Sequence, residues 1–335
     1  MKKESKKPLR IFYSDFATSP YPSHFCSVIM RAVLFFFTVW CEMLSERRAS
    51  IILLVATVLA AWGWIFSKEA ILGLPPFGFI GLRFIAASLC LMPFCFSQLK
   101  RVERGNLIRA GGVGSILACA LLCWIYAMSV STSLGEGAFI MSLSMLIVPP
   151  IAWLLFKQRP PRIFWVSMPI AVAGLALLSL GGVGWQLSPS QIWFLLAALF
   201  LATHFNFNSQ YAKSIPALVL TSVQLFVTGV IALAASLLTE TWPESVPTSI
   251  WGWFTLSVLV ATSLRYLMQT LGQKGASAAN AAIIMILEPV WTVILSVVWY
   301  HEAMPAHKIA GCTLILASLL IYRGSEPLRR LLRSK

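Results

Sequence analysis

Residues 275–302 read GASAANAAIIMILEPVWTVILSVVWYHE. The first part of the stretch is rich in small residues (Ala276, Ser277, Ala278, Ala279, Ala281, Ala282), and the second is bulky and apolar. Between them stands Glu288-Pro289, an ionisable residue followed by a helix breaker. A run of this length crosses a hydrocarbon core of about 30 Å. A carboxylate at that depth is costly unless it faces a polar cavity or a partner. Pro289 also frees a backbone carbonyl one turn earlier, and such groups are tolerated only where protein or water satisfies them. The small residues let a second helix approach closely. The stretch therefore predicts a transmembrane helix that lines a cavity rather than one that faces lipid.

The same contour occurs earlier in the chain. Shifted by 144 residues, 134–161 (LGEGAFIMSLSMLIVPPIAWLLFKQRPP) falls on 278–305 without a gap. Ala138 then matches Ala282, Pro161 matches Pro305 and Ala173 matches Ala317, while Glu136 falls on Asn280 and Ser144 on Glu288. Few letters are identical, but the hydropathy contour repeats.

Composition fixes the class. The chain has 335 residues, 58% hydrophobic and 11% charged, with mean hydropathy +0.80, far too apolar for a soluble globular protein. A net charge of +14 raises nucleic acid as a partner. The placement of the charge excludes it, because Lys and Arg sit in short gaps between apolar runs and build no basic face. Seven cysteines form no metal-binding spacing; Cys119 and Cys123 share a helix face and read as small buried hydrophobes. No cofactor and no metal site are expected.

Residues 1–49 form a basic tail with a short apolar segment at 28–40 that carries Arg31 and falls below spanning length. Residues 1–27 read as disordered. The sequence CEMLSERR that follows 28–40 is wrong for a signal-peptide cleavage site. Either the segment lies at the membrane interface or the natural product begins later, with Met43 as the alternative start. Ten spans follow, at about 50–70, 77–97, 108–129, 134–156, 162–182, 190–212, 215–238, 248–271, 276–300 and 306–323. Their connections are short and marked by Pro or Gly, and Trp185, Trp193, Trp251, Trp253 and Trp299 collect near span ends as interfacial aromatics do.

Of the 26 Lys and Arg, 22 fall on the side of the N terminus in this topology. The positive-inside rule then places both termini in the cytoplasm. Five spans per repeat is an odd number, so the two repeats must enter the bilayer from opposite sides. The expected fold is an all-α integral membrane protein of ten transmembrane helices. These form two inverted-topology five-helix repeats, 50–183 and 190–323, followed by a basic cytoplasmic tail, 324–335. Such an architecture is typical of secondary transporters, with substrate bound near the midplane between repeats.

Several short motifs resemble the drug/metabolite transporter superfamily, specifically its EamA-type ten-helix carriers. They are Ala61-Trp62-Gly63 in the first span, Leu82-Arg83-Phe84 in the second and Ser142-Leu143-Ser144 in the fourth. In the ninth, Leu287-Glu288-Pro289-Val290 is followed by His301-Glu302 and Pro305. The resemblance covers about 50–323 and implies transport of small metabolites, often export of amino acids, with carriers of nucleotide sugars and S-adenosylmethionine among the members. The chain departs from the family where Lys157-Gln158 occupies the place of the usual Gly-Glu, and where His301 replaces that Gly in the second half.

Glu288 is the leading candidate for a substrate-cation or proton site. Arg265 lies deep in the eighth span and needs a partner. An ion pair with Glu288 is one explanation; the other is that the two grip opposite ends of a zwitterion, guanidinium on carboxylate and carboxylate on ammonium. Arg83, near a span end, is expected to snorkel to the surface. In the sixth span His204 and Asn208 share one face, and Asn206 and Gln210 the adjacent one. Polar side chains can glue helices together, but this density favours a cavity. Trp62 with Trp64, and Trp124 with Tyr126, could stack on a ring or simply pack. Glu136, at the outer start of the fourth span, is a candidate gate residue.

Other apparent motifs fail. His301-Glu302 with His307 has the wrong spacing for a zinc-protease helix, and the GGVG runs lack the Lys-Ser/Thr of a phosphate loop. With no ATP-binding motif, active transport would run on gradients or exchange, with protons as a candidate coupling ion. The expected function is therefore a secondary carrier of a small zwitterionic metabolite, an amino acid or derivative, in a bacterial inner membrane. A carrier of S-adenosylmethionine is the alternative. From another class come a lipid-modifying membrane enzyme and a non-transporting scaffold; the loops are short and poor in catalytic clusters. A monomer and a homodimer both fit.

Overall fold

The computed structural model describes residues 46–130, 134–179 and 189–300, and of the C-terminal region 306–307, 309–318 and 321. Unbroken apolar runs punctuated by proline produce helices throughout. In chain order they are α1 (Glu46–Ala70), α2 (Pro76–Leu99), α3 (Arg104–Val130), α4 (Leu134–Phe156), α5 (Arg162–Ser179), α6 (Pro189–Tyr211) and α7 (Ala217–Thr239). α8 (Thr248–Gly275), α9 and α10 (Ile309–Ser318) complete the series. α9 is broken into Ala278–Met285 and Glu288–Tyr300. No strand occurs among the described residues. Seven of these helices, α1–α3 and α6–α9, are long and apolar enough to cross a membrane. Three shorter apolar helices, Ile140–Phe156, Arg162–Gly174 and Ile309–Ser318, stand beside them. The 1–45 tail with its 28–40 segment, the Met43 question, residues 301–305 and the 324–335 tail lie outside the described residues.

Proline sets several starts. Pro75, Pro216 and Pro247 stand at the N-caps of α2, α7 and α8, where a missing N–H costs nothing. None of them offers a side-chain acceptor, and α2 is capped from outside instead. The Glu240 carboxylate, just past α7, accepts from the backbone N–H of Phe77 at 2.8 Å and of Gly78 at 2.9 Å. At the far end of α4, Lys157 adopts φ 55, a left-handed conformation that glycine takes without strain. That is the position where the resemblance expects Gly.

Two irregularities fall in the helices nearest the cavity. In α8 the segment Leu259–Leu264 is a π turn. The hydroxyls of Thr262 and Ser263 donate back five residues to the carbonyls of Ser257 and Val258, each at 2.8 Å. They cover groups that the widened turn displaces. In α9 the break spans Ile286-Leu287, so Pro289 falls in the first turn of the second segment, where it is tolerated.

Packing pairs the two halves of the chain. α2 lies along α7 with no room for side chains at the crossing. A Cβ on Gly81 would stand 2.7 Å from the backbone N of Leu233, and one on Gly229 2.6 Å from that of Ile85. Nearby, Ser88 donates to the carbonyl of Ser222 at 2.8 Å. α3 packs on α6 as α8 packs on α1, and α4 packs on α6 as α9 packs on α1. The 144-residue offset also relates helix starts: Arg104 to Thr248 and Leu134 to Ala278. It relates individual contacts as well. Gly174 abuts the Gly311 carbonyl, and Ser318 donates to the Ser167 carbonyl at 2.9 Å; shifting both members by the offset and exchanging them converts one contact into the other.

Candidate functional site

A cavity of ≈130 Å³ lies among α1, α2, α3, α4, α8 and α9, with Leu201 of α6 completing its wall. One water needs roughly 10–15 Å³ by this kind of measure, so there is room for a small metabolite. The lining residues fall in the C-terminal halves of α1 and α3 and the N-terminal halves of α2 and α4. The cavity therefore sits toward the end of the bundle where α1 finishes and α2 begins.

Its charges come from three helices. Glu288 opens the second segment of α9, a position favourable for an acid beside the helix N-terminus. Arg265 follows the π turn of α8 directly. Arg265 Nη2 stands 3.7 Å from Glu288 Oε2, with the side chains 12% and 22% exposed. That is an ion pair but too long for a hydrogen bond. The other carboxylate oxygen, Oε1, accepts from Trp64 Nε1 at 3.1 Å. Trp64 in turn meets Trp124 edge to face at 5.2 Å, and the Arg265 guanidinium lies 4.2 Å from the centre of the Tyr266 ring.

Arg83 corrects the sequence expectation. It does not snorkel; its exposure is 6%, and it lines the cavity. Its guanidinium donates to Thr262 Oγ1, to Ser67 Oγ at 2.7 Å and to the Ala261 carbonyl at 3.3 Å. Two of these acceptors belong to the π turn, so the irregular backbone of α8 is what receives the arginine. Gly63 leaves the space beside it, since a Cβ there would stand 3.6 Å from Arg83 Nη2 and 3.0 Å from Ala261 Cβ.

Two polar groups on the wall have no partner among the described residues: Trp124 Nε1 and Ser144 Oγ, both buried. Ser144 is the residue that the 144-residue offset places on Glu288. Both groups face the cavity, where a ligand or water can reach them. Among the described lining residues there is one carboxylate, and no His, Cys or Lys.

The structure brings Glu288, Arg265 and Trp124 together and separates the other candidates from them. His204 is fully buried and pairs through Nε2 with Gln224 Oε1 at 2.9 Å, tying α6 to α7. Asn206 donates to the carbonyls of Val148 at 2.9 Å and Ala202 at 3.0 Å, which ties α6 to α4. Asn208 donates to Thr270 Oγ1 at 3.3 Å and to Gln273 Oε1, which ties α6 to α8. Gln210 lies 3.5 Å from Gln158 Nε2. From α6 the cavity is lined by Leu201 alone among the described residues, so the polar cluster stands outside the cavity wall and links α6 to α4, α7 and α8. Trp62 packs away from the cavity, stacked on Phe66 at 5.7 Å and edge-on to Trp299 at 5.8 Å. Tyr126 is 42% exposed and meets Trp193. Glu136 lies in the first turn of α4, and its side chain is outside the described residues. Arg83 and the π turn are what sequence reasoning missed; LRF and the Thr-Ser pair at 262–263 were the available signals.

The comparison with known proteins follows the same two-part layout. The model of the EamA-like transporter family matches residues 47–180 and again 188–323. The chain belongs to this family. It is similar over 269 residues, at 26% identity, to an uncharacterized transporter of Archaeoglobus fulgidus; the match covers 80% of this chain and 83% of the relative. It is also similar to the uncharacterized transporter YvbV of Bacillus subtilis, at 23% identity over 80% of this chain and 90% of that protein. A solved structure titled only "Crystal structure of protein" superposes with a TM-score of 0.72 at 17% identity, covering 86% of this chain and 99% of its own. That likeness concerns the fold. Family membership and the apolar helices make this a multi-pass membrane transporter.

Proposed function

We propose that this transporter is a secondary carrier of a small zwitterionic metabolite, an amino acid or derivative, in a bacterial inner membrane. The observation that carries the reading is the loose Arg265–Glu288 pair in the cavity wall, 3.7 Å apart. Here the Arg265 guanidinium has no hydrogen-bond partner among the described residues, and Glu288 Oε2 meets only the arginine's charge. Carboxylate and ammonium of a zwitterion would complete both ends.

The proposed architecture is ten spans in two inverted five-helix repeats, with both termini cytoplasmic. The exchange-related contacts of α5 with α10, and of α3 and α4 with α6 against α8 and α9 with α1, support it. In that orientation the cavity faces away from the cytoplasm. A proton could couple through Glu288, the one carboxylate among the described lining residues. Counterflow into proteoliposomes with labelled amino acids and S-adenosylmethionine tests the reading. Saturable exchange of a zwitterion supports it, and none across the panel contradicts it.

A further inference from the structure

The cavity holds more positive than negative charge. Its described lining residues include two guanidiniums, Arg83 and Arg265, and a single carboxylate, Glu288. Arg265 has Glu288 for an ion-pair partner. Arg83 is 6% exposed, and its partners are all neutral: the oxygens of Thr262, Ser67 and Ala261 and the rings of Phe79 and Phe84, 5.4 and 5.9 Å from its guanidinium carbon. A guanidinium carries five N–H donors in a rigid fork, and these bonds occupy three of them. A buried cation that meets hydroxyls, a carbonyl and ring faces but no counter-charge remains costly in a low-dielectric bundle, and an anion reaching the same cavity would lower that cost. The neutral acceptors also fix the fork in place. Ser67 Oγ is itself tied to the Gly63 carbonyl at 2.6 Å and Thr262 Oγ1 to that of Ser257 at 2.8 Å, so the guanidinium is held before any ligand arrives.

From this geometry we infer that the substrate carries one more acidic than basic group. Its zwitterionic end meets Arg265 and Glu288, and a second carboxylate or phosphate meets Arg83. This deepens the carrier reading and rests on it. The two unpartnered polar groups of the wall, Trp124 Nε1 and Ser144 Oγ, add a donor and a hydroxyl to the same space. A substrate with net positive charge, such as S-adenosylmethionine, would leave Arg83 unbalanced and add a further cation to the cavity.

The test uses pairs that differ in charge: the isosteric glutamate with glutamine and aspartate with asparagine, and the larger phosphoserine with serine. Counterflow of each is measured in proteoliposomes containing wild type, Arg83→Gln or Arg83→Lys, with detergent melting curves to confirm folding. The expected result is a preference of tenfold or more for the anionic member of at least one pair. That preference survives in Arg83→Lys and disappears in Arg83→Gln, with the neutral member still exchanged. A purely structural role for Arg83 would depress both members alike in Arg83→Gln, and that outcome overturns the inference. So does equal or better exchange of the neutral members by wild type, which leaves the zwitterion carrier standing. Silence of wild type toward every probe overturns the carrier reading and this inference together.

Discussion

Trp64 Nε1 donates to Glu288 Oε1 at 3.1 Å while the Arg265 guanidinium stands 3.7 Å from Oε2. One oxygen of the carboxylate is thus held by a directional bond from α1, and the other faces the Arg265 guanidinium at ion-pair distance. α9 is broken just before Glu288, so the acid opens a new helix segment at the cavity wall. That relationship links the small-residue half of α9, the break and the cavity in one device.

The indole bond yields a prediction that separates the neighbouring tryptophans. Trp64→Phe removes the donor and keeps most of the ring, so KM for the transported compound rises about tenfold, the value of one hydrogen bond to a charged group. Trp62→Phe, in the Phe66–Trp299 cluster, leaves KM unchanged. Initial-rate uptake in proteoliposomes reads the difference.

His204→Ala and Asn208→Ala test the assignment of the α6 cluster to helix packing. Each leaves a buried amide of Gln224 or Gln273 without its partner, a loss of about 1–3 kcal/mol. Lowered melting temperature with unchanged KM is the expected pattern. A raised KM with normal melting would return these residues to the substrate site.

Much of this fold was legible because a bilayer allows few solutions. Apolar runs of spanning length must be helices, and a gapless 144-residue offset carries helix starts from Leu134 to Ala278. The cost of charge at depth left an ion pair of Glu288 with Arg265 as one of two readings, and the two stand 3.7 Å apart. The place of the α6 cluster was not legible, because sequence gives the density of polar groups and not their partners, and His204, Asn206 and Asn208 each find one on a different helix. Arg83 misled for the opposite reason. Proximity to a span end suggests snorkelling, but the acceptors that hold it arise from a π turn, which has no residue-level signature as plain as proline.

The α2–α7 crossing predicts a sharp steric penalty. Gly229→Val would place side-chain atoms against the Ile85 backbone and the Gly81 carbonyl, and overpacking of this kind costs about 1–3 kcal/mol or more. Loss of monodisperse protein in gel filtration, or a clear fall in melting temperature, is expected. Gly252→Val, where nothing stands within 4 Å of the added Cβ, should behave as wild type.

Lys157 offers the reverse case. Its φ of 55 strains any side chain with a Cβ, so Lys157→Gly relieves about 1 kcal/mol at the end of α4. A small rise in melting temperature with unchanged transport is the expected readout.

The central claim is that Glu288 and Arg265 form the substrate site, and the most direct test is counterflow by purified wild type beside Glu288→Gln, matched for protein density and melting temperature. The account predicts saturable exchange of an amino-acid-like metabolite by wild type and a drop of about a hundredfold or more in the variant, on the order of 3 kcal/mol. Full exchange by Glu288→Gln would contradict it.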